Sequence, residues 1–198
     1  MKKYKVHKLQ TYFNDYSCFL EKNYNHYSNS IKHKALYEQN WKPFDLNNFK
    51  VPEFELLPSD NNKRNYQFDI SSPSSPFYIF SEKAVEALKD ILEPRGQFLP
   101  IITPSKRKKY LGYYPTNPLK NMIDLEKSNI NKEELENFGI REINNIHIKS
   151  GAIIDEYIIC FSEARGCVLI TEKFKKRVEE AGLEGFDFIY SDYEITLL

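Results

Sequence analysis

The apolar positions of this chain form two well-marked strand-helix units joined by weaker signals. In the first, Phe77-Tyr78-Ile79-Phe80 is an apolar run of strand type, Ser81 stands where a helix N-cap belongs, and Glu82 favours the positive end of a helix dipole. Ala84, Val85, Leu88, Ile91 and Leu92 then recur at helical spacing, and Pro94 with Gly96 ends the helix before Phe98-Leu99-Pro100-Ile101-Ile102 resumes as a strand. In the second, Cys167-Val168-Leu169-Ile170 is the strand, Thr171 the cap, and Phe174, Val178 and Ala181 the apolar stripe. Gly182 and Gly185 read as a C-cap and turn before a strand at Phe186-Asp187-Phe188-Ile189-Tyr190. The likeness between the units reads as two independent uses of the same capping grammar, with an internal pseudo-repeat as the alternative.

Between them, Tyr110-Leu111-Gly112-Tyr113-Tyr114 reads as a strand, 131–138 as a short capped helix stopped by Gly139, and Ile143, Ile146 and Ile148 as part of another strand. Arg165-Gly166 turns a strand at 157–161 back into 168–170 as a hairpin. Residues 1–75 are less periodic: a short strand at 4–9, a helix near 31–39, and apolar pieces such as Phe54-Glu55-Leu56-Leu57 punctuated by Pro43, Pro52 and Pro58. Ser71-Ser72-Pro73-Ser74-Ser75-Pro76 reads as a linker or exposed loop. The expectation is therefore an α+β fold, with a largely antiparallel or mixed sheet and helices packed on it. An irregular N-terminal region or extra layer spans 1–75, and the core domain spans 76–198.

Composition narrows the class. At 198 residues, 41% hydrophobic and 15% aromatic, the chain can bury a core without disulfides or a structural metal. Its 28 basic and 28 acidic residues cancel, so no global field draws it to nucleic acid or an anionic membrane. The balance is uneven along the chain: +4 over 1–66, +2 over 67–109 and −6 over 110–198. The charged start Met1-Lys2-Lys3-Tyr4-Lys5 lacks the apolar run of a signal peptide, and no segment approaches a membrane span, so a cytoplasmic protein is expected. Cys18, Cys160 and Cys167 are odd in number and unevenly spaced, which reads as reduced thiols.

Catalytic constellations are thin. No glycine cluster suits a phosphate, no Gly-x-Ser-x-Gly elbow exposes a serine, and His7, His26, His33 and His147 are too scattered for a metal site, so neither cofactor nor metal is expected. Asp124 with Glu126, or Asp155 with Glu156, supplies carboxylates that an enzyme would need in two different environments. Cys160 lies in an apolar strand, where burial makes a thiol inert. The run Lys106-Arg107-Lys108-Lys109 followed by Tyr110, Tyr113 and Tyr114 combines charge with aromatic faces that stack on bases, and it equally makes a solvated turn.

The succession Phe80-Ser81-Glu82-Lys83-Ala84-Val85, Gly96-Gln97-Phe98-Leu99-Pro100-Ile101, Tyr113-Tyr114-Pro115-Thr116-Asn117-Pro118-Leu119, Ile123-Asp124-Leu125-Glu126-Lys127-Ser128, Ile170-Thr171-Glu172-Lys173-Phe174 and Gly182-Leu183-Glu184-Gly185-Phe186 resembles a bacterial family. That family, first catalogued as a domain of unknown function, is grouped with the immunity proteins of polymorphic toxin systems. The likeness covers roughly 76–190. It implies a small cytoplasmic α+β protein that neutralises a cognate protein toxin by direct contact and catalyses nothing. The acidic C-terminal half then offers Glu133, Glu134, Glu136, Asp155 and Glu156 as contacts to a basic toxin surface. The matched residues Ser81, Asn117, Asp124 and Ser128 read as caps and turn formers. Specificity would reside in the departures from the family pattern, the first 75 residues and the Lys106–Lys109 loop. The rivals from other classes are a small enzyme using a carboxylate or Cys160, and a nucleic-acid-binding module using 106–114.

Overall fold

A computed structural model describes residues 2–22, 27–128, 130, 146–149, 155–189 and 192–197. Their strands are β1 (Lys2–Lys8), β2 (Cys18–Glu21), β3 (Phe54–Leu57), β4 (Ile70–Ser71), β5 (Tyr78–Ser81), β6 (Gly96–Leu99), β7 (Tyr110–Pro115), β8 (Ile146–Ile148), β9 (Ile158–Cys160), β10 (Val168–Thr171) and β11 (Asp192–Leu197). The helices are α1 (Ile31–His33), continued by a wide π turn over Lys34–Gln39, α2 (Glu82–Leu92) and α3 (Glu172–Glu180). The fold is α+β, as expected. No helix among the described residues is long and apolar enough to cross a membrane.

The strands form a five-stranded sheet ordered β8-β11-β1-β10-β9, a four-stranded sheet ordered β4-β5-β7-β6 and the pair β2-β3. All ladders are antiparallel except β8 against β11. The period-2 alternation explains the layering. In β5, Tyr78 and Phe80 face a core shared with α2, α3 and one face of the five-stranded sheet, whereas Ile79 faces a second core under the N-terminal segments. In β10, Val168 and Ile170 join the shared core and Leu169 joins a third core on the far face. Strands buried on both faces carry continuous apolar runs, which is why these two were conspicuous in the sequence.

The boundary expected near residue 75 is crossed by both sheets. β1 lies at the centre of the five-stranded sheet between β10 and β11, and β4 pairs with β5. Residues around β2, α1 and β3 do form a layer: Phe19, Ile31, Phe44 and Phe54 cover the outer face of the four-stranded sheet. The serine-rich stretch is no exposed linker. Ser71, Ser72 and Ser74 are buried, with the Thr11 backbone N–H donating to Ser72 Oγ at 2.9 Å and that of Phe19 to Ser71 Oγ at 2.8 Å. The short hydroxyls satisfy backbone donors that burial would otherwise leave unpaired.

Local grammar differs between the two strand-helix units. Ser81 caps α2 by accepting from the Ala84 N–H at 3.1 Å. Thr171 occupies the equivalent position with extended backbone, but its hydroxyl donates to the Glu156 carbonyl at 2.9 Å instead of capping α3. α3 closes as expected, with Gly182 at φ +57 and the Leu183 N–H returning to the Val178 carbonyl at 3.0 Å. Of the strand expected at 186–190, the described residues 186–189 form one bridge, Phe186 to Thr11, Tyr190 lies outside the described residues, and a further strand follows at β11. The helix expected at 131–138 lies outside the described residues.

Tyr114 ties the N-terminal layer to β7. Its buried hydroxyl donates to the Ala35 carbonyl at 2.8 Å and accepts from the Trp41 N–H at 2.7 Å, where Asn40 and Trp41 turn the chain in the left-handed region at φ 45 and 69. Tyr114→Phe strands both backbone groups, so we expect it to lower stability by about 2–3 kcal/mol, read from urea unfolding. A loss within about 0.5 kcal/mol would show that the hydroxyl does not hold this layer.

Candidate functional site

Of the acidic residues expected to meet a partner, Glu133, Glu134 and Glu136 lie outside the described residues. Asp155 and Glu156 are placed, and both are compensated. Asp155, with 94% of its side chain exposed, accepts from Lys173 Nζ at 2.8 Å. That hydrogen bond holds its carboxyl below the usual range and raises the Lys173 ammonium. Glu156 turns inward to 22% exposure, and its Oε2 accepts from Arg95 Nε at 2.9 Å and from Arg95 Nη2. With its carbonyl also bonded to Thr171, Glu156 fastens the turn after α2 to the start of α3. It is a clamp within the fold, and Asp155 presents an ion pair to solvent.

Of the residues read as caps and turn formers, Ser81 and Asp124 make such local contacts, whereas Ser128 ties to a strand 19 residues further on. Ser81 caps α2, Asp124 Oδ1 accepts from the Lys127 N–H at 3.1 Å, and Ser128 Oγ accepts from the His147 N–H at 2.9 Å. The same geometry places Asp124 in a turn, bonded to backbone. Cys18, Cys160 and Cys167 are all free and buried. Burial pushes Cys18 and Cys167 up to about 12 and Cys160 further still. A thiol held protonated in this way is no nucleophile at neutral pH.

A buried carboxylate that belongs to no sequence motif joins several parts of the described fold. Asp69, fully buried, sits just before β4 and joins four segments. Its Oδ1 accepts from Ser81 Oγ at 2.5 Å and pairs with Lys108 Nζ at 2.7 Å, and its Oδ2 accepts from the Glu184 N–H at 2.9 Å. Its own N–H donates to the Glu184 carbonyl at 2.7 Å. The signal that could have found it is a lone carboxylate between Phe68 and Ile70, since an acid in an apolar strand must have partners. Ser81, read only as a cap, serves both roles at once: it accepts from α2 and donates to Asp69.

Through Asp69 the basic loop becomes part of the scaffold. Lys108, whose side chain is 28% exposed, also donates to the Phe68 carbonyl at 2.8 Å and lies 5.7 Å over the Tyr110 ring. Ser105 Oγ accepts from the Lys108 N–H at 3.2 Å and donates to its carbonyl at 2.7 Å, closing the loop on itself. The Glu82 N–H donates to the Lys109 carbonyl at 3.0 Å. Lys106, Arg107 and Lys109 point to solvent, and Lys106 and Arg107 have no ion-pair partner among the described residues. The tyrosines beside them offer no stacking faces. Tyr110, Tyr113 and Tyr114 are buried, their hydroxyls donating to backbone carbonyls, and burial raises all three.

A shallow open groove of about 320 Å³ lies between the π turn and residues 44–50, floored by Ile31, Phe44 and Phe49 with Lys34 and Lys50 at its rim. Against known proteins, the chain matches no protein-family model and no curated protein. Among the described residues, no group of three His, Cys, Asp or Glu side chains is placed to hold a metal ion.

Proposed function

We propose that this chain is an immunity-type protein that binds a protein toxin and neutralises it by direct contact in the cytoplasm of the cell that makes both. The observation that carries the reading is where the charged and reactive side chains are spent. Asp69, Glu156 and the three thiols are committed to holding segments together or are sealed in the core, while uncompensated charge is displayed on an ordered surface loop. A surface of that kind suits recognition, in which a few fixed groups at a well-packed patch carry most of the affinity. The succession of motifs over 76–190 supports the same conclusion. The carboxylate enzyme is less well supported, because Asp124 is bonded to a turn N–H and Asp155 and Glu156 are bonded to cations.

The test is capture of the tagged protein from the cells that encode it, followed by a toxicity assay on whatever protein is retained in stoichiometric amount. A retained polypeptide that kills or arrests cells alone, and is silenced by one equivalent of this chain, is the expected result. Retention of a small molecule or nucleic acid in place of any protein overturns the reading.

A further inference from the structure

We infer that the partner-facing element is the Lys106–Lys109 loop and that it docks on a carboxylate-rich protein surface, the reverse of the polarity suggested by the acidic C-terminal half. The inference rests on the reading that the partner is a protein, and it names where and by what chemistry that protein is met. Asp155 and Glu156, the two of the five expected acidic contacts that lie among the described residues, are each paired with a cation and offer no free charge. Lys106 and Arg107 are exposed and unpaired among the described residues.

The loop is also held in shape. Lys108 turns inward onto buried Asp69 and the Phe68 carbonyl, Ser105 bonds both backbone groups of Lys108, and Lys109 is fixed by the Glu82 N–H. One of the four basic side chains, Lys108, is thus an internal anchor, Lys109 pairs with Glu82 at 3.7 Å, and Lys106 and Arg107 are presented on a backbone ordered before any partner arrives. Ordering in advance removes part of the entropy cost of association. The Arg107 guanidinium suits bidentate pairing with carboxylates. Nucleic acid would also meet positive charge here, but the aromatic faces that bind single strands are missing, since Tyr110, Tyr113 and Tyr114 are turned into the core.

The test uses fluorescein-labelled deca-glutamate and an oligo-thymidine of equal length as probes, with affinity read by anisotropy at low and physiological salt. The wild-type chain is expected to bind the peptide more tightly than the oligonucleotide. K106E/R107E is expected to weaken peptide binding about tenfold, while K175E/K176E on α3, an equal change of charge elsewhere, leaves it within about twofold. S105A, which keeps every charge and removes the loop's internal clamp, is expected to weaken it about threefold. Unchanged binding by K106E/R107E, unchanged binding by S105A, or tighter binding of the oligonucleotide each overturns the inference. The probes need no toxin, so failure to find a toxin overturns the proposed function and leaves this result standing. A neutralised toxin held at full strength by K106E/R107E does the opposite.

Discussion

Asp69→Ala is expected to lower the stability of the fold by about 2–4 kcal/mol, the largest loss from any single polar substitution in the described residues. The carboxylate is buried, and its oxygens serve Ser81, Lys108 and the Glu184 N–H at 2.5–2.9 Å. Removing it leaves the Glu184 N–H and the Ser81 hydroxyl without their acceptor, and leaves the Lys108 ammonium facing a void. Breaking a fully buried pair costs about 3–5 kcal/mol because a charge is stranded. Lys108 is 28% exposed and keeps the Phe68 carbonyl, so water and backbone recover part of that cost. For a chain of this size the loss corresponds to a fall in Tm of about 6–12 °C. Urea unfolding of Asp69→Ala, Ser81→Ala and the double variant separates the contributions. The coupling between the two sites should exceed about 0.5 kcal/mol, because each removes the other's partner. A single-variant loss under about 1 kcal/mol would mean that the four segments are held by apolar packing alone.

How far the fold was legible follows from which interactions are local. β5 with α2 and β10 with α3 could be read because cap, first turn and apolar stripe lie within about four residues of one another. The hairpin of β9 and β10 was legible for the same reason, with Gly166 at φ +78 in its turn. The strand at the start of the chain was visible, but not its position between β10 and β11, since pairing across 160 residues and more leaves no local trace. The Ser71–Pro76 stretch misled because serine and proline are turn formers by composition. Here the Ser71 and Ser72 hydroxyls serve as buried backbone partners, a role decided only by what packs above them. In Phe186-Asp187-Phe188-Ile189 the alternation was real, since Phe186 and Phe188 both pack on the shared core, but no ladder follows from it. For the candidate site, the basic loop was legible as charge and illegible as geometry. Nothing near Lys108 in the sequence announces Asp69, 39 positions earlier, as its partner.

Cooperative unfolding at alkaline pH is the second large effect expected. Cys18 and Cys167 are raised to about 12 by burial, Cys160 further, and the hydroxyls of Tyr78, Tyr110, Tyr113 and Tyr114 are raised by burial as well. In the unfolded chain these groups return to about 8.5 for a thiol and about 10 for a phenol. Each folded value lies above its unfolded value, so the stability gained by keeping the group protonated is complete below the unfolded value. It is lost as pH climbs toward the folded one. In that window the unfolded chain binds fewer protons than the folded chain, and stability falls by roughly 1 kcal/mol per pH unit for each such group. Three thiols set the slope between about pH 8.5 and 10, and the four tyrosines steepen it above that. A domain with the usual reserve of about 5–15 kcal/mol should therefore unfold near pH 10–11. Phenolate and thiolate absorbance should then rise together with the loss of circular dichroism, in one sharp transition. Replacing Cys18 with Val removes one titrating group and should flatten the slope of stability against pH between pH 8.5 and 10 by about 1 kcal/mol per unit, whatever it does to stability at neutral pH. If all seven groups instead titrated gradually at their ordinary values in an intact fold, they would have to be reachable by water, and the packing that seals them would be wrong.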